Sequence, residues 1–414
     1  MINFKRYQLD NGLTVLIHKD ESTPLAAVNT LYKVGARDEN PERTGFAHLF
    51  EHLMFSGSVN IPDYDLVVDK VGGENNAFTN SDYTNYYVTL PVQNLETALW
   101  LESDRMLNLA FNEKGLDVQK SVVTEEYKQV FLNQPYGDIW LHLRPLAYKE
   151  HPYRWVAIGK DISHITNSTM DEVRAFYKKY YNPNNAILSI AGNLDEEETL
   201  KLVKKWFDAI PAGEDFNRNI PKESPQKEFR TETLKRNVPF DAIYMSFHMP
   251  DRLSQRYYVF DLLSDVLSNG LSSRLHKRLV KQQKLFRELQ AYISGDLDPG
   301  LFIISGKLYE GTSMKKAEQA IINELELISK ELINEEELQK IQNKIESTLI
   351  FSELNVLNKA MNIAYFEFIN HAEDINLQAA NYRKVTAEDI RNAAKDTFVK
   401  DNCSVLYYLA SEAE

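Results

Sequence analysis

The hydrophobic and polar positions along the chain predict one series of elements that occurs twice. Alternating or continuous apolar runs predict strands, and a repeat of three to four residues predicts helices. In the first half the predicted elements are strands at 13–18, 26–34, 75–80, 84–90 and 186–191 and helices at 44–55, 64–71, 95–106, 114–134 and 196–210. In the second half they are strands at 241–248, 301–308 and 404–409 and helices at 257–268, 315–333, 335–350 and 355–368. This order predicts an α+β fold of two similar half-domains, each a mixed, mostly antiparallel sheet packed against long helices.

A polar segment separates the two series. Residues 216–232 contain Pro221 and Pro225 and little apolar character, which is typical of a linker. The predicted domains are therefore 1–215 and 233–414, and a chain of 414 residues has room for both.

The helix at 44–55 carries the main candidate chemistry. His48 and His52 are four residues apart and so lie on one face of a helix, with Glu51 about 60° to one side. Two imidazoles at this spacing can bind one Zn²⁺, and a neighbouring carboxylate can accept the proton of a water molecule. Leu49 and Phe50 between the histidines and the apolar residues 53–55 after them predict a buried helix. There, two histidines and a glutamate without a common partner would be costly. His-x-x-Glu-His is the inverzincin motif.

A catalytic zinc needs a third protein ligand, which is expected to be a carboxylate on another helix. The helix at 114–134 offers Glu125 and Glu126, which differ by about 100° around the helix axis. The residues alone leave both open.

These motifs resemble the pitrilysin family of zinc metallopeptidases, the group with insulin-degrading enzyme and the β subunit of the mitochondrial processing peptidase. The family register on Val122-Val123 implies Glu126 as the third ligand, beside His48 and His52. The resemblance further implies a LuxS/MPP-like metallohydrolase fold with 1–215 as the zinc-binding half, and a zinc endopeptidase with Glu51 as the catalytic base.

A second segment resembles the family strand whose exposed edge pairs with the peptide substrate. It comprises residues 72–79, followed by 84–87, and it implies Asn76, Ala77 and Phe78 as substrate-binding residues. An edge strand offers free N–H and C=O groups to which an extended peptide can add.

The chain departs from the family pattern in two places. Gln119 stands where members often have a Glu, seven residues before the ligand Glu. Active members also use an Arg and a Tyr seven apart, but those positions hold Val280 and Arg287 here, while Tyr292 follows Leu285 by seven residues.

The family encloses its substrate between four half-domains, so the resemblance implies a dimer. Because the Arg and Tyr are missing, we expect a paralogous partner that carries them rather than a homodimer. Two alternatives stay open: a catalytically weak or inactive structural subunit of the same fold, and a zinc hydrolase acting on small molecules.

The composition limits the kinds of partner that the protein is expected to bind. The net charge of −13 and a pI near 5.3 argue against nucleic acid and against an anionic membrane surface. No 18 apolar residues run together, and the N-terminus has no signal-peptide pattern. The sequence therefore predicts a cytoplasmic protein without a membrane span.

Overall fold

The computed structural model describes residues 1–411, which form two compact units. The first unit comprises Met1–Lys128, Trp155–Ile220 and Ile350–Leu377. The second comprises Gln129–Arg154, Pro221–Leu349 and the chain from Gln378 on. The chain therefore passes between the units several times, and one passage, at Ile220/Pro221, falls inside the predicted linker.

The strands form one sheet in each unit. Their bounds are β1 (Lys5–Gln8), β2 (Thr14–Lys19), β3 (Leu25–Tyr32), β4 (Glu74–Thr79), β5 (Thr84–Pro91), β6 (Ala186–Gly192), β7 (Arg230–Arg236), β8 (Ala242–His248), β9 (Phe286–Ile293), β10 (Leu301–Leu308) and β11 (Cys403–Ala410). The first sheet has the order β1-β2-β6-β3-β5-β4 and the second has β7-β11-β8-β10-β9.

The helices lie between and beside these strands along the chain. Their bounds are α1 (Phe46–Leu53), α2 (Tyr64–Lys70), α3 (Leu95–Leu107), α4 (Glu113–Tyr127), α5 (Ile139–Ala147), α6 (Ser163–Thr166), α7 (Met170–Tyr180), α8 (Glu196–Phe207), α9 (Arg256–Ser268), α10 (Met314–Lys330), α11 (Glu335–Ser352), α12 (Val356–Ile369), α13 (Gln378–Lys384) and α14 (Ala387–Thr397). Within residues 1–411, no helix is both long enough and apolar enough to cross a membrane.

Apart from the additional edge strand β1 of the first sheet, the two sheets share one topology. In the first, β2 and β6 pair in parallel and all other neighbours are antiparallel. In the second, β7 and β11 form the parallel pair and the rest are antiparallel. The last strand of each sheet thus inserts between two earlier strands, β6 between β2 and β3 and β11 between β7 and β8, and the prediction of two similar α+β half-domains is confirmed.

Each sheet is completed by a helix from the other half of the sequence. Helix α12 packs on β3 and β6, where Ile363 and Phe366 join a core with Leu31 and Ile187. Helix α5 packs on β11, β7 and β8, where Leu143 is fully buried. All seven residues of β6 are buried, since helices cover both faces of this sheet.

Candidate metal centre

Helix α1 is held by its N-terminus and its apolar face. Gly45 precedes it with φ 93°, a left-handed conformation that glycine adopts without strain. The buried carboxylate of Glu39 accepts hydrogen bonds from the backbone N–H groups of Gly45 and Ala47, both at 2.8 Å. A carboxylate is favourable at this positive end of the helix. Nevertheless, burial raises the pKa of Glu39 to about 8.

The side of α1 opposite its apolar face carries His48 and His52. The apolar residues of the helix, Phe46, Ala47, Leu49, Phe50 and Leu53, are buried against its surroundings. The His48 and His52 side chains are 12% and 25% exposed, with ring centroids 4.9 Å apart. Both imidazoles therefore lie on one partly open face, as the four-residue spacing predicts.

Helix α4, which packs against α1, supplies the acid. It begins at the cap Asn112, whose side chain accepts from Gly115 N, and it buries Val123 and Tyr127. Glu126, between these two buried positions, is turned toward α1, whereas Glu125 is exposed and pairs with Lys128 at 2.7 Å. Of the two candidate acids, the structure brings only Glu126 to the histidines. Gln119 lies two turns earlier on the same helix.

The three side chains converge on one point. His48 Nε2 lies 3.5 Å from Glu126 Oε1, and His52 Nε2 lies 3.3 Å from Glu126 Oε2. One ligand atom from each residue falls within 4.8 Å of the others. Two ligands about 2.1 Å from a tetrahedral centre would be about 3.4 Å apart, so these spacings suit a zinc ion.

The electrostatics of the cluster agree with a cation site. Hydrogen bonds with His48, first, and with His52, second, hold the pKa of Glu126 well below its usual range. The Nδ1 atom of His48 is buried and has no hydrogen-bond partner among residues 1–411. The packing of neighbouring side chains, rather than a hydrogen bond at Nδ1, therefore orients the His48 ring.

Glu51 lies on α1 between the two histidines and is partly exposed. Within the described part of the chain its carboxylate takes part in no hydrogen bond or ion pair. It is also outside the three-residue cluster. Its carboxylate is therefore open to a proton from a neighbouring molecule.

Strand β4 is the edge of the first sheet and packs beside α1. Asn76, Ala77 and Phe78 stand opposite Tyr87, Tyr86 and Asn85 of β5. The Ala77 N–H donates to Asn76 Oδ1 at 2.8 Å instead of to β5, so it faces outward from the ladder. Of the three residues predicted to bind substrate, Ala77 thus has its main-chain donor on the free side, covered by an amide side chain.

A buried charge pair that the sequence analysis did not find lies behind α1. Arg105 and Glu102, one turn apart on α3, are 1% and 0% exposed and form an ion pair at 2.5 Å. The guanidinium lies over the Tyr86 ring at 4.4 Å and the Tyr64 ring at 4.8 Å. Tyr86 in turn donates to Phe50 O on α1 at 3.1 Å. The pair therefore positions the metal-binding helix through Tyr86.

The sequence feature that could have revealed this pair is the presence of charged residues at positions of α3 that face the core. Glu102 and Arg105 share α3 with residues such as Leu101, which is fully buried. Charged residues are almost never fully buried unless paired, so their place in this helix marks a partnered site.

In the second unit, the positions of the missing Arg and Tyr have structural roles. Val280 and Leu285 are buried in its core. Arg287 lies over the Phe240 ring at 3.9 Å and the Tyr309 ring at 5.1 Å. The pKa of the half-buried Tyr292 is raised by burial.

The fold and this site are typical of metallopeptidases built from like half-domains. The pattern described as "Insulinase (Peptidase family M16)" matches residues 14–151, and that described as "Peptidase M16 inactive domain" matches residues 167–345. The chain belongs to peptidase family M16, the insulinase or pitrilysin family, as the sequence motifs predict.

Similar individual proteins are consistent with this family assignment. The zinc protease PqqE of Helicobacter pylori is 28% identical over 340 residues, which cover 81% of this chain and 76% of that protein. The β subunit of the mitochondrial processing peptidase of Saccharomyces cerevisiae is 27% identical over 222 residues, covering 53% and 47%. The crystal structure of a protease from Helicobacter pylori matches with a TM-score of 0.93 and 26% identity over 99% of this chain and 100% of that one.

Proposed function

We propose that this protein is a zinc-dependent endopeptidase that hydrolyses peptides or unfolded segments. The observation that carries the proposal is the convergence of His48, His52 and Glu126 beside the unpaired carboxylate of Glu51. The zinc protease name of the Helicobacter relative supports it. The zinc-binding, catalytic half is 1–215, the linker 216–232, and the half without metal ligands 233–414.

The donor set fits zinc. Two imidazole nitrogens and one carboxylate leave an open fourth position in a tetrahedral site, as catalytic zinc requires. Zinc bound there supplies a Lewis acid that lowers the pKa of a water molecule and polarises a peptide carbonyl.

Glu51 provides the acid–base chemistry. Its carboxylate accepts a proton from the attacking water, and the same oxygen then donates that proton to the nitrogen of the leaving amine. One water molecule is consumed, the C–N bond breaks, and a carboxylate and an amine result. Because Glu51 has no ion-pair partner, it needs no rearrangement to accept the proton.

Strand β4 binds the substrate main chain. A peptide laid along this edge can accept from the Ala77 N–H once the Asn76 amide turns away. Main-chain pairing of this kind requires extended substrate but little sequence specificity.

A partner completes the active enzyme. Val280 is a core residue and Arg287 lies against two rings, so this chain has no counterpart of the family's Arg and Tyr at those positions. We propose a dimeric chamber formed with a paralogous subunit that carries the pair. The relative named as a β subunit supports such an assembly. We further propose a cytoplasmic location, with no nucleic-acid or membrane partner.

The test combines metal content, peptidase activity and native mass. The full chain, purified alone and co-expressed with a candidate paralogue, is assayed for zinc by atomic emission and for cleavage of an internally quenched peptide. We expect one zinc per chain, and cleavage that Glu51→Gln abolishes while zinc is kept. Glu125→Gln, which changes an exposed neighbour of the ligand, is the matched control and should leave both unchanged. Full activity of an isolated homodimer contradicts the heterodimer, and absence of zinc contradicts the peptidase.

A second candidate function is a catalytically weak or inactive subunit of the same fold. The residues at 280 and 287 favour it, and so does the "inactive domain" description of the region matched by 167–345. Stoichiometric zinc without hydrolysis, alone and with every paralogue, would establish this second function.

A further inference from the structure

A cavity of about 580 Å³ opens in the second unit, on the face of the sheet that carries α10. Its volume lies within the range of small-molecule sites. All its lining residues belong to the second unit, and none belongs to the zinc cluster.

The floor of the cavity is apolar because of strand register. Cys403 stands opposite Phe247, and Met245 opposite Val405, on neighbouring strands, so their side chains share one face of the sheet. Burial raises the pKa of the Cys403 thiol to about 12, so this floor residue is uncharged.

One stripe of α10 forms a wall. Lys315, Gln319, Ile322 and Glu326 follow one another at three- or four-residue steps and all line the cavity. From Lys315 to Glu326 the helix rises about 16 Å. The wall is therefore elongated, with an apolar middle and charged ends.

The two glutamates and two lysines that line the cavity differ in their partners. Glu318 accepts a hydrogen bond from the Tyr407 hydroxyl at 2.9 Å, and Glu326 pairs with Lys330 at 2.8 Å. Lys315 and Lys400, in contrast, have no ion pair with a carboxylate of residues 1–411, and Lys400 lies over the Phe229 ring at 5.6 Å. Two unpaired cations beside an apolar cavity stand out in a chain of net charge −13.

We propose that this cavity binds an amphipathic monoanion, a long-chain alkyl carboxylate, with its chain between α10 and the sheet and its carboxylate at Lys315 and Lys400. Lys315 lies in the first turn of α10, where the helix dipole adds to the attraction for an anion. The alkyl chain lies against the apolar side chains of Met245, Phe247 and Ile322, which line the cavity.

The test is calorimetric titration of the full chain with dodecanoate below its micelle concentration. We expect one site per chain, and at least tenfold weaker binding by the double variant Lys315→Gln/Lys400→Gln. The matched control Lys316→Gln/Lys395→Gln makes the same change in net charge at two exposed lysines that do not line the cavity, and it should bind like the wild type. Thermal melting of both variants checks that they fold.

Two further arms locate the ligand and define its chemistry. Ile322 lies in the apolar middle of the wall, so Ile322→Gln should weaken dodecanoate binding and so place the alkyl chain along α10. Dodecyltrimethylammonium and an apolar tripeptide with a free carboxylate should bind at least tenfold more weakly than dodecanoate. Equal binding by both double variants, or equal binding of the alkyl cation, overturns the proposal, as does the absence of binding.

Discussion

Replacement of Arg105 by methionine tests whether the buried pair on α3 supports the fold as its geometry indicates. Arg105→Met leaves the Glu102 carboxylate, which is 0% exposed, without its cation. Loss of one partner of a buried ion pair costs about 3–5 kcal/mol. Thr30 and Tyr64 still donate to Glu102 at 2.7 Å each, but these neutral donors do not replace a full charge. We expect a loss of about 3–5 kcal/mol in the free energy of unfolding.

The double variant Glu102→Gln/Arg105→Met should lose less free energy of unfolding than Arg105→Met alone. A glutamine can accept from Tyr64 and donate to the Thr30 hydroxyl, so both hydroxyls keep a partner and no charge is buried. The remaining loss, from the ring contacts of the guanidinium, is about 1–2 kcal/mol. The two substitutions should therefore be coupled by roughly 2 kcal/mol or more.

Urea denaturation followed by circular dichroism measures these differences. Lys205→Met, which removes the exposed partner of Glu96, is the control, and we expect a change below about 1 kcal/mol. Additive effects of the two core substitutions, or a loss below about 1 kcal/mol for Arg105→Met, would refute the assignment of the pair as a buried support of α1.

Three other substitutions test the metal ligands, the substrate-binding strand and the buried carboxylate at the N-terminus of α1. Glu126→Ala should abolish stoichiometric zinc binding, measured by dialysis against a chelator, because only two ligands remain; retention of zinc would contradict the ligand set. Ala77→Pro should lower kcat/KM for a quenched peptide at least tenfold with zinc unchanged, since the outward N–H is lost while the ladder is kept, and Ala77→Gly should not. Glu39 has a folded pKa of about 8, above its unfolded value, so its contribution to stability is present at low pH and is lost as pH rises from about 4.5 through 8. The free energy of unfolding of Glu39→Gln should therefore fall less over that range than that of the wild type, and parallel curves would be contrary to this account.

The elements that the sequence predicts are those with a strong apolar pattern. Strands β3, β6 and β10 are almost wholly buried and were predicted within one or two residues. Strand β7 was not: it reads Arg-Thr-Glu-Thr-Leu-Lys-Arg, lies at a sheet edge, and buries only Leu234. A polar edge strand is specified by its neighbour rather than by its own sequence, so its first residues were assigned to the linker.

The candidate site shows the same division. The His48–His52 spacing is local and could be predicted from helix geometry. The choice of Glu126 over Glu125 came from the family register, and its position beside α1 depends on the packing of α4. The Glu102–Arg105 pair and the outward Ala77 N–H depend on contacts across the fold, which no local pattern contains.

The place of α12 has a consequence for synthesis on the ribosome. The first sheet is complete in sequence at Gly192, but the helix that covers its β3–β6 face begins at Val356. Translation of the roughly 160 residues between them takes about 8–30 s at typical speeds. During that interval Leu31 and Ile187 lack their contacts with Ile363 and Phe366 of α12, so the nascent chain exposes apolar surface to chaperones although all three metal ligands have already been synthesised.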